Sequence, residues 1–133
     1  MSKLIDYLNE NNQGQFATVK NGKPVMRPFQ LVFARDNKFY FMTSNTKSVY
    51  RELVSNGVAG FSVLGKDMKW VRLSGEITFV DDLELKEEML NINPLYRGLY
   101  KSANNPSFEA FYIHNGEASF HAGDGSIIEE FGI

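Results

Sequence analysis

The chain has 133 residues, one domain's length, and its 43% apolar and 23% charged content is ordinary globular usage that excludes a disordered chain. Its 14 basic and 16 acidic residues give a net charge of −2, so the surplus of Lys and Arg that general nucleic-acid binding requires is missing. It has no cysteine, which removes disulfides, thiolate nucleophiles and Cys-based metal sites, and no apolar run reaches the ~18–20 residues of a membrane helix.

Ser2 is placed to cap a short helix over Lys3 to Asn11, with Leu4, Ile5 and Leu8 on one face. Lys3 and Asp6 stand where a signal peptide needs apolar residues, which together with the missing cysteines gives a cytoplasmic expectation. Phe16 to Val19 reads as a strand, and Asn21-Gly22 as a hairpin turn in which both positions need positive φ. The returning strand is expected from Val25 to Ala34, with Pro28 marking an edge or a bulge because it cannot donate to a ladder. Phe39 to Thr43 is a third strand, expected beside the second.

The period then changes. Val49, Tyr50, Leu53 and Val54 suit a helix over Lys47 to Ser55, with Asn45 or Thr46 as its N-cap. Val58 to Leu64 reads as a buried strand, and Lys69 to Val80 as a long one bent or bulged at Gly75. Asp81-Asp82 heads a charged helix from Leu83 to Asn91, and Leu95 to Lys101 adds a further turn or two beyond Pro94. Phe108 to His114 and Glu117 to Ala122 are expected as a hairpin around Asn115-Gly116, while the tail from Ile127 to Ile133 has no clear pattern. Hairpin-linked strands with inserted helices indicate a mainly β, α+β antiparallel barrel in a single domain over residues 1–133.

Chemistry concentrates in Thr43-Ser44-Asn45-Thr46-Lys47-Ser48, between a strand end and a helix start. Free N–H groups at a helix N-terminus, hydroxyls and a lysine favour an anion, above all a phosphate. The same segment also fits an ordinary helix cap with a solvated Lys47, the commoner arrangement. Arg27 would add a planar fork for a phosphate, or is simply an exposed strand arginine. Trp70 shares a strand face with Arg72 and Ser74, where an indole can wall a flat ring or make a surface or subunit contact. His114 and His121 do not make a specific metal site, and Ser119, His121 and Asp124 lack the nucleophile elbow of a catalytic triad. Glu84, Glu87 and Glu88 read as a solvated helix face, and Phe33, Phe39, Phe41, Phe61 and Phe79 as core.

The succession Phe16-Ala17-Thr18-Val19, Asn21-Gly22-Lys23-Pro24, Arg27-Pro28-Phe29, Phe39 to Lys47, and Trp70-Val71-Arg72-Leu73-Ser74-Gly75-Glu76 resembles the pyridoxamine 5′-phosphate oxidase-like family, in particular its small nitroimidazole-resistance-type branch. The resemblance implies a six-stranded antiparallel split β-barrel with flanking helices, and a homodimer that binds FMN in sites shared between subunits. By position it implies that Arg27 and Lys47 hold the FMN phosphate, that Met42, Thr43, Asn45, Thr46 and Ser48 complete that pocket, that Pro28 and Phe29 lie along the isoalloxazine, and that Trp70 approaches the ring or the partner subunit. The hairpin expected from Phe108 to Phe120 would be a wall supplied by the partner subunit.

The chain lacks the basic, histidine-containing C-terminal segment that receives the substrate phosphate in the oxidase itself, so the resemblance does not carry pyridoxamine phosphate oxidation over. The expectation is an FMN-dependent oxidoreductase acting on a small molecule, with no nucleic-acid or membrane partner and no catalytic side chain assigned. The alternative is a non-enzymatic flavin or haem carrier on the same barrel, with His114 or His121 as an axial ligand.

Overall fold

Asn21 and Gly22 both take positive φ, 53° and 75°, and their tight turn sets β1 (Gln13–Lys20) against β2 (Lys23–Gln30) in unbroken register from Gln13↔Gln30 to Lys20↔Lys23. These elements are taken from a computed structural model that describes residues 2–133. Before them, α1 (Lys3–Glu10) is capped as expected, with the Ser2 hydroxyl accepting from the Ile5 N–H at 3.2 Å. After them come β3 (Phe33–Arg35), β4 (Lys38–Ser44), α2 (Ser48–Asn56), β5 (Val58–Leu64), β6 (Trp70–Val80), α3 (Leu83–Ile92), α4 (Pro94–Tyr100), β7 (Phe108–His121) and β8 (Ile127–Gly132).

The eight strands form one antiparallel sheet in the order β2-β1-β5-β6-β7-β4-β3, with β8 added on β7. The mainly β architecture agrees with the sequence reading, with eight strands in place of six.

The strand expected from Val25 to Ala34 is two strands at opposite ends of the sheet. The Leu31 N–H donates to the Asn12 carbonyl at 2.8 Å and the Val32 N–H to the Tyr40 carbonyl at 2.9 Å, so the chain changes partner between adjacent buried residues. This crossing curls the sheet back on itself. It also means that β2, which carries Arg27, pairs with β1 and not with β4.

The expected hairpin at Asn115-Gly116 is absent. β7 runs as one 14-residue strand, because β6 pairs with it from Trp70↔His121 to Val80↔Ala110. Asn115 keeps a positive φ of 51°, but the result is a bend opposite the register shift between Ser74 and Glu76.

The interior holds a cluster of phenylalanines, with Phe41 lying 5.1 Å from Phe16, 4.9 Å from Phe61 and 5.7 Å from Phe111, ring centre to ring centre. Leu4 and Leu8 of α1 and Val49 and Leu53 of α2 join the same cluster. A second cluster packs α3 and α4, through Met89, Leu90, Tyr96 and Tyr100, against Tyr40, Phe108 and Ala110.

Candidate functional site

The turn from β4 into α2 leaves polar groups unspent. Lys47 is the N-cap residue of α2 and makes no side-chain cap bond. Asn45 and Thr46, the expected caps, are engaged elsewhere. The Asn45 amide donates to the Pro106 carbonyl at 2.8 Å and to the Glu109 carboxylate at 2.9 Å, tying the turn to the loop before β7. The Thr46 hydroxyl lies 2.7 Å from the Ser44 hydroxyl. The leading N–H groups of α2, at the positive end of its dipole, therefore have no side-chain acceptor.

Two neighbours share this condition. Thr43 is 1% exposed, and its hydroxyl is the one buried side-chain polar atom among the described residues with no hydrogen-bond partner. Lys47 is exposed and forms no ion pair with any described residue.

Arg27 is differently placed. Its guanidinium donates to the Glu52 carboxylate at 2.7 Å, the Thr18 hydroxyl at 2.8 Å and the Phe16 carbonyl at 3.3 Å. Thr18 in turn donates to Glu52 at 2.6 Å. Glu52 is 6% exposed and the Arg27 side chain 19%, so this is a largely buried charged network joining β1, β2 and α2. The Thr18 hydrogen bond, then the Arg27 hydrogen bond and charge, hold the Glu52 carboxyl below its ordinary range, against the opposing effect of burial. Among the described residues Arg27 makes no hydrogen bond to the turn that carries Lys47.

Beside this network a groove of about 410 Å³ runs between the β1–β2 turn and α2, lined in part by Lys20, Ser48, Arg51 and Glu52. Neither Lys20 nor Arg51 forms an ion pair with a described residue. Sequence reasoning passed over Thr18, Lys20, Arg51 and Glu52. A signal for two of them was present. Glu52 is three residues after Val49 and adjacent to Leu53, on the apolar face of the helix, where a carboxylate demands a partner. Thr18 alternates with Phe16 and so faces inward.

The remaining candidates lie on other surfaces. Pro28 is exposed on β2, while Phe29 turns inward and stacks on Phe16 at 4.6 Å. Met42 packs against the α3–α4 cluster, on the opposite face of β4 from Thr43. Trp70 stacks on His121 at 3.8 Å with the rings within 4° of parallel, and the Arg72 guanidinium carbon lies 5.8 Å from its ring centre. His121 and His114 share β7 and do not face each other across a hairpin. His121 Nε2 is 2.8 Å from the Ser119 hydroxyl, and His114 Nε2 is 2.7 Å from that of Thr78. Among the described residues no group of three His, Asp or Glu is placed to hold a metal, and no helix is long and apolar enough to cross a membrane.

The Pyridoxamine 5′-phosphate oxidase family profile matches residues 2–122. A NimC/NimA family protein from Clostridium acetobutylicum is 30% identical, with a TM-score of 0.85 over 95% of this chain and 87% of that one. General Stress Protein 26 from Bacillus anthracis shares the fold at 18% identity, with a TM-score of 0.78 over 96% of each chain. A heme binding protein from Mycobacterium smegmatis shares it at 15% identity, with a TM-score of 0.77 over 97% of this chain and 55% of that one. No curated protein matches the chain. With the profile covering nearly its whole length, the chain belongs to the pyridoxamine 5′-phosphate oxidase family.

Proposed function

We propose that the protein binds FMN and acts as an FMN-dependent oxidoreductase on a small-molecule substrate. The observation that carries this reading is the uncapped N-terminus of α2, preceded along the chain by Thr43, whose buried hydroxyl has no partner. A phosphate accepts hydrogen bonds and carries negative charge, which is what free amides, a lone hydroxyl and the Lys47 ammonium call for. The residues present therefore fit the phosphate end of the cofactor.

In this reading Lys47 and the leading amides of α2 neutralise the phosphate, while Thr43 and Thr46 donate hydroxyl hydrogen bonds. Asn45 holds the turn in place through Pro106 and Glu109. Arg27 joins the site only by leaving Glu52. FMN, when bound, supplies hydride or electron transfer, and the chain supplies binding and orientation. The haem-carrier alternative gains nothing from His121, whose ring is buried, covered by Trp70 and bonded to Ser119.

The outer face of the sheet supports a homodimer. Pairing brings the exposed Leu64 and Ile127 to either side of Trp70 and the His121 ring it covers, across β5 to β8, and Met26 on edge strand β2 is 62% exposed. The test of the function is direct. The purified protein is examined for a flavin absorbance, and the released molecule is identified by mass. A colourless protein that also fails to take up added FMN contradicts the proposal.

A further inference from the structure

We propose that Glu52 is an internal competitor for the cofactor phosphate and sets how strongly the protein distinguishes FMN from riboflavin. The inference rests on the FMN reading above and concerns the regulation of that same site.

Arg27 is the one arginine of the expected pocket, and its fork is already committed. One terminal nitrogen is 2.7 Å from the Glu52 carboxylate, and the other is 2.8 Å from the Thr18 hydroxyl and 3.3 Å from the Phe16 carbonyl. Thr18 also donates to Glu52 at 2.6 Å, so the carboxylate oxygen that faces Arg27 has two donors. A phosphate placed at the start of α2 recruits the guanidinium only by drawing it from a carboxylate that is itself almost fully buried. Glu52 then remains, one helical turn beyond Ser48, as a buried like charge that has lost its cationic partner.

The other cations nearby, Lys20, Lys47 and Arg51, are exposed and offer no buried bidentate grip. The phosphate of FMN thus gains less here than the inventory of basic residues suggests. Riboflavin, which carries no phosphate, is indifferent to Glu52. Glu52 is therefore the residue that limits phosphate discrimination.

The experiment measures dissociation constants of FMN and riboflavin by flavin fluorescence for wild type, Glu52→Gln, Arg27→Gln and the double variant. Gln keeps the length of Glu and an acceptor for Thr18 and Arg27, but removes the charge. FMN binding is expected to tighten about tenfold in Glu52→Gln, with riboflavin unchanged. The gain is expected to vanish in the Arg27→Gln background, because the contested group is gone. Glu52→Asp, whose carboxylate is retracted by one methylene, gives a second folded form with a shift in the same direction.

An unchanged ratio of the two constants in folded Glu52→Gln overturns the proposal. So does weaker FMN binding, which would make Glu52 a support that positions Arg27. If both flavins bind and the ratio does not move, only the competitor role falls. If neither flavin binds any of the proteins, the FMN reading falls and takes this inference with it.

Discussion

Gly75 and Gly116 meet across β6 and β7 with no room for a side chain on either. A Cβ on Gly116 would lie 1.9 Å from the Ser74 carbonyl oxygen and 2.7 Å from the Gly75 Cα, and one on Gly75 would lie 2.2 Å from the His114 carbonyl oxygen. The contact sits at the register shift where both strands bend. Because the obstacles are backbone atoms, Gly116→Ala forces the strands apart and should cost about 3 kcal/mol of stability. Gly22→Ala tests a positive φ in open space and should cost less, about 1 kcal/mol. Urea unfolding of the two variants measures the difference, and equal losses would contradict the close approach.

The Arg27–Glu52 pair makes a prediction about pH. Glu52 is held below the ordinary carboxylate value, so its contribution to stability is present above the range where a free glutamate titrates and is lost as pH falls through its lowered pKa. Unfolding free energies of wild type and Glu52→Gln should therefore converge on acidification, with wild type the steeper. Arg27→Ala leaves a buried carboxylate unpaired and should cost about 3–5 kcal/mol at neutral pH. Parallel pH curves for wild type and Glu52→Gln would contradict this account of the pair.

Met26 tests the proposed subunit contact. It is exposed on edge strand β2 and faces outward beside Ala17. Met26→Glu should leave the fold intact and shift the protein toward monomer, because an unpaired charge buried in a subunit contact is not tolerated. Sedimentation velocity over a range of concentrations reads the shift. A wild-type protein that is monomeric throughout would contradict the dimer.

The sequence carried local features well and non-local ones poorly. Asn21-Gly22 and Asn115-Gly116 are the same dipeptide, yet only the first makes a hairpin. At the first site the strands on either side pair with each other. At the second, β6 pairs along the whole of β7 and overrides the turn preference. The switch of period after Thr43 located α2 to within a residue, because it depends only on neighbouring side chains.

The crossing from β2 to β3 was hidden, since nothing at Leu31 or Val32 announces a change of partner. The role of Arg27 was hidden for the same reason. Its partner Glu52 lies 25 residues away on another element, and only the closed sheet brings them together. The place of Thr43 before a helix is legible in the sequence. That its hydroxyl is buried without a partner is a property of the packing alone.

The central claim is that the turn from Thr43 into α2 is built for a phosphate, and Thr43→Val tests it in a single variant. Without ligand, replacing a buried unpartnered hydroxyl by a methyl should raise stability by about 1 kcal/mol. In a calorimetric titration of flavin-free protein, the same change should weaken FMN about tenfold and leave riboflavin unchanged. A Thr43→Val protein that takes up FMN as tightly as wild type would contradict the account.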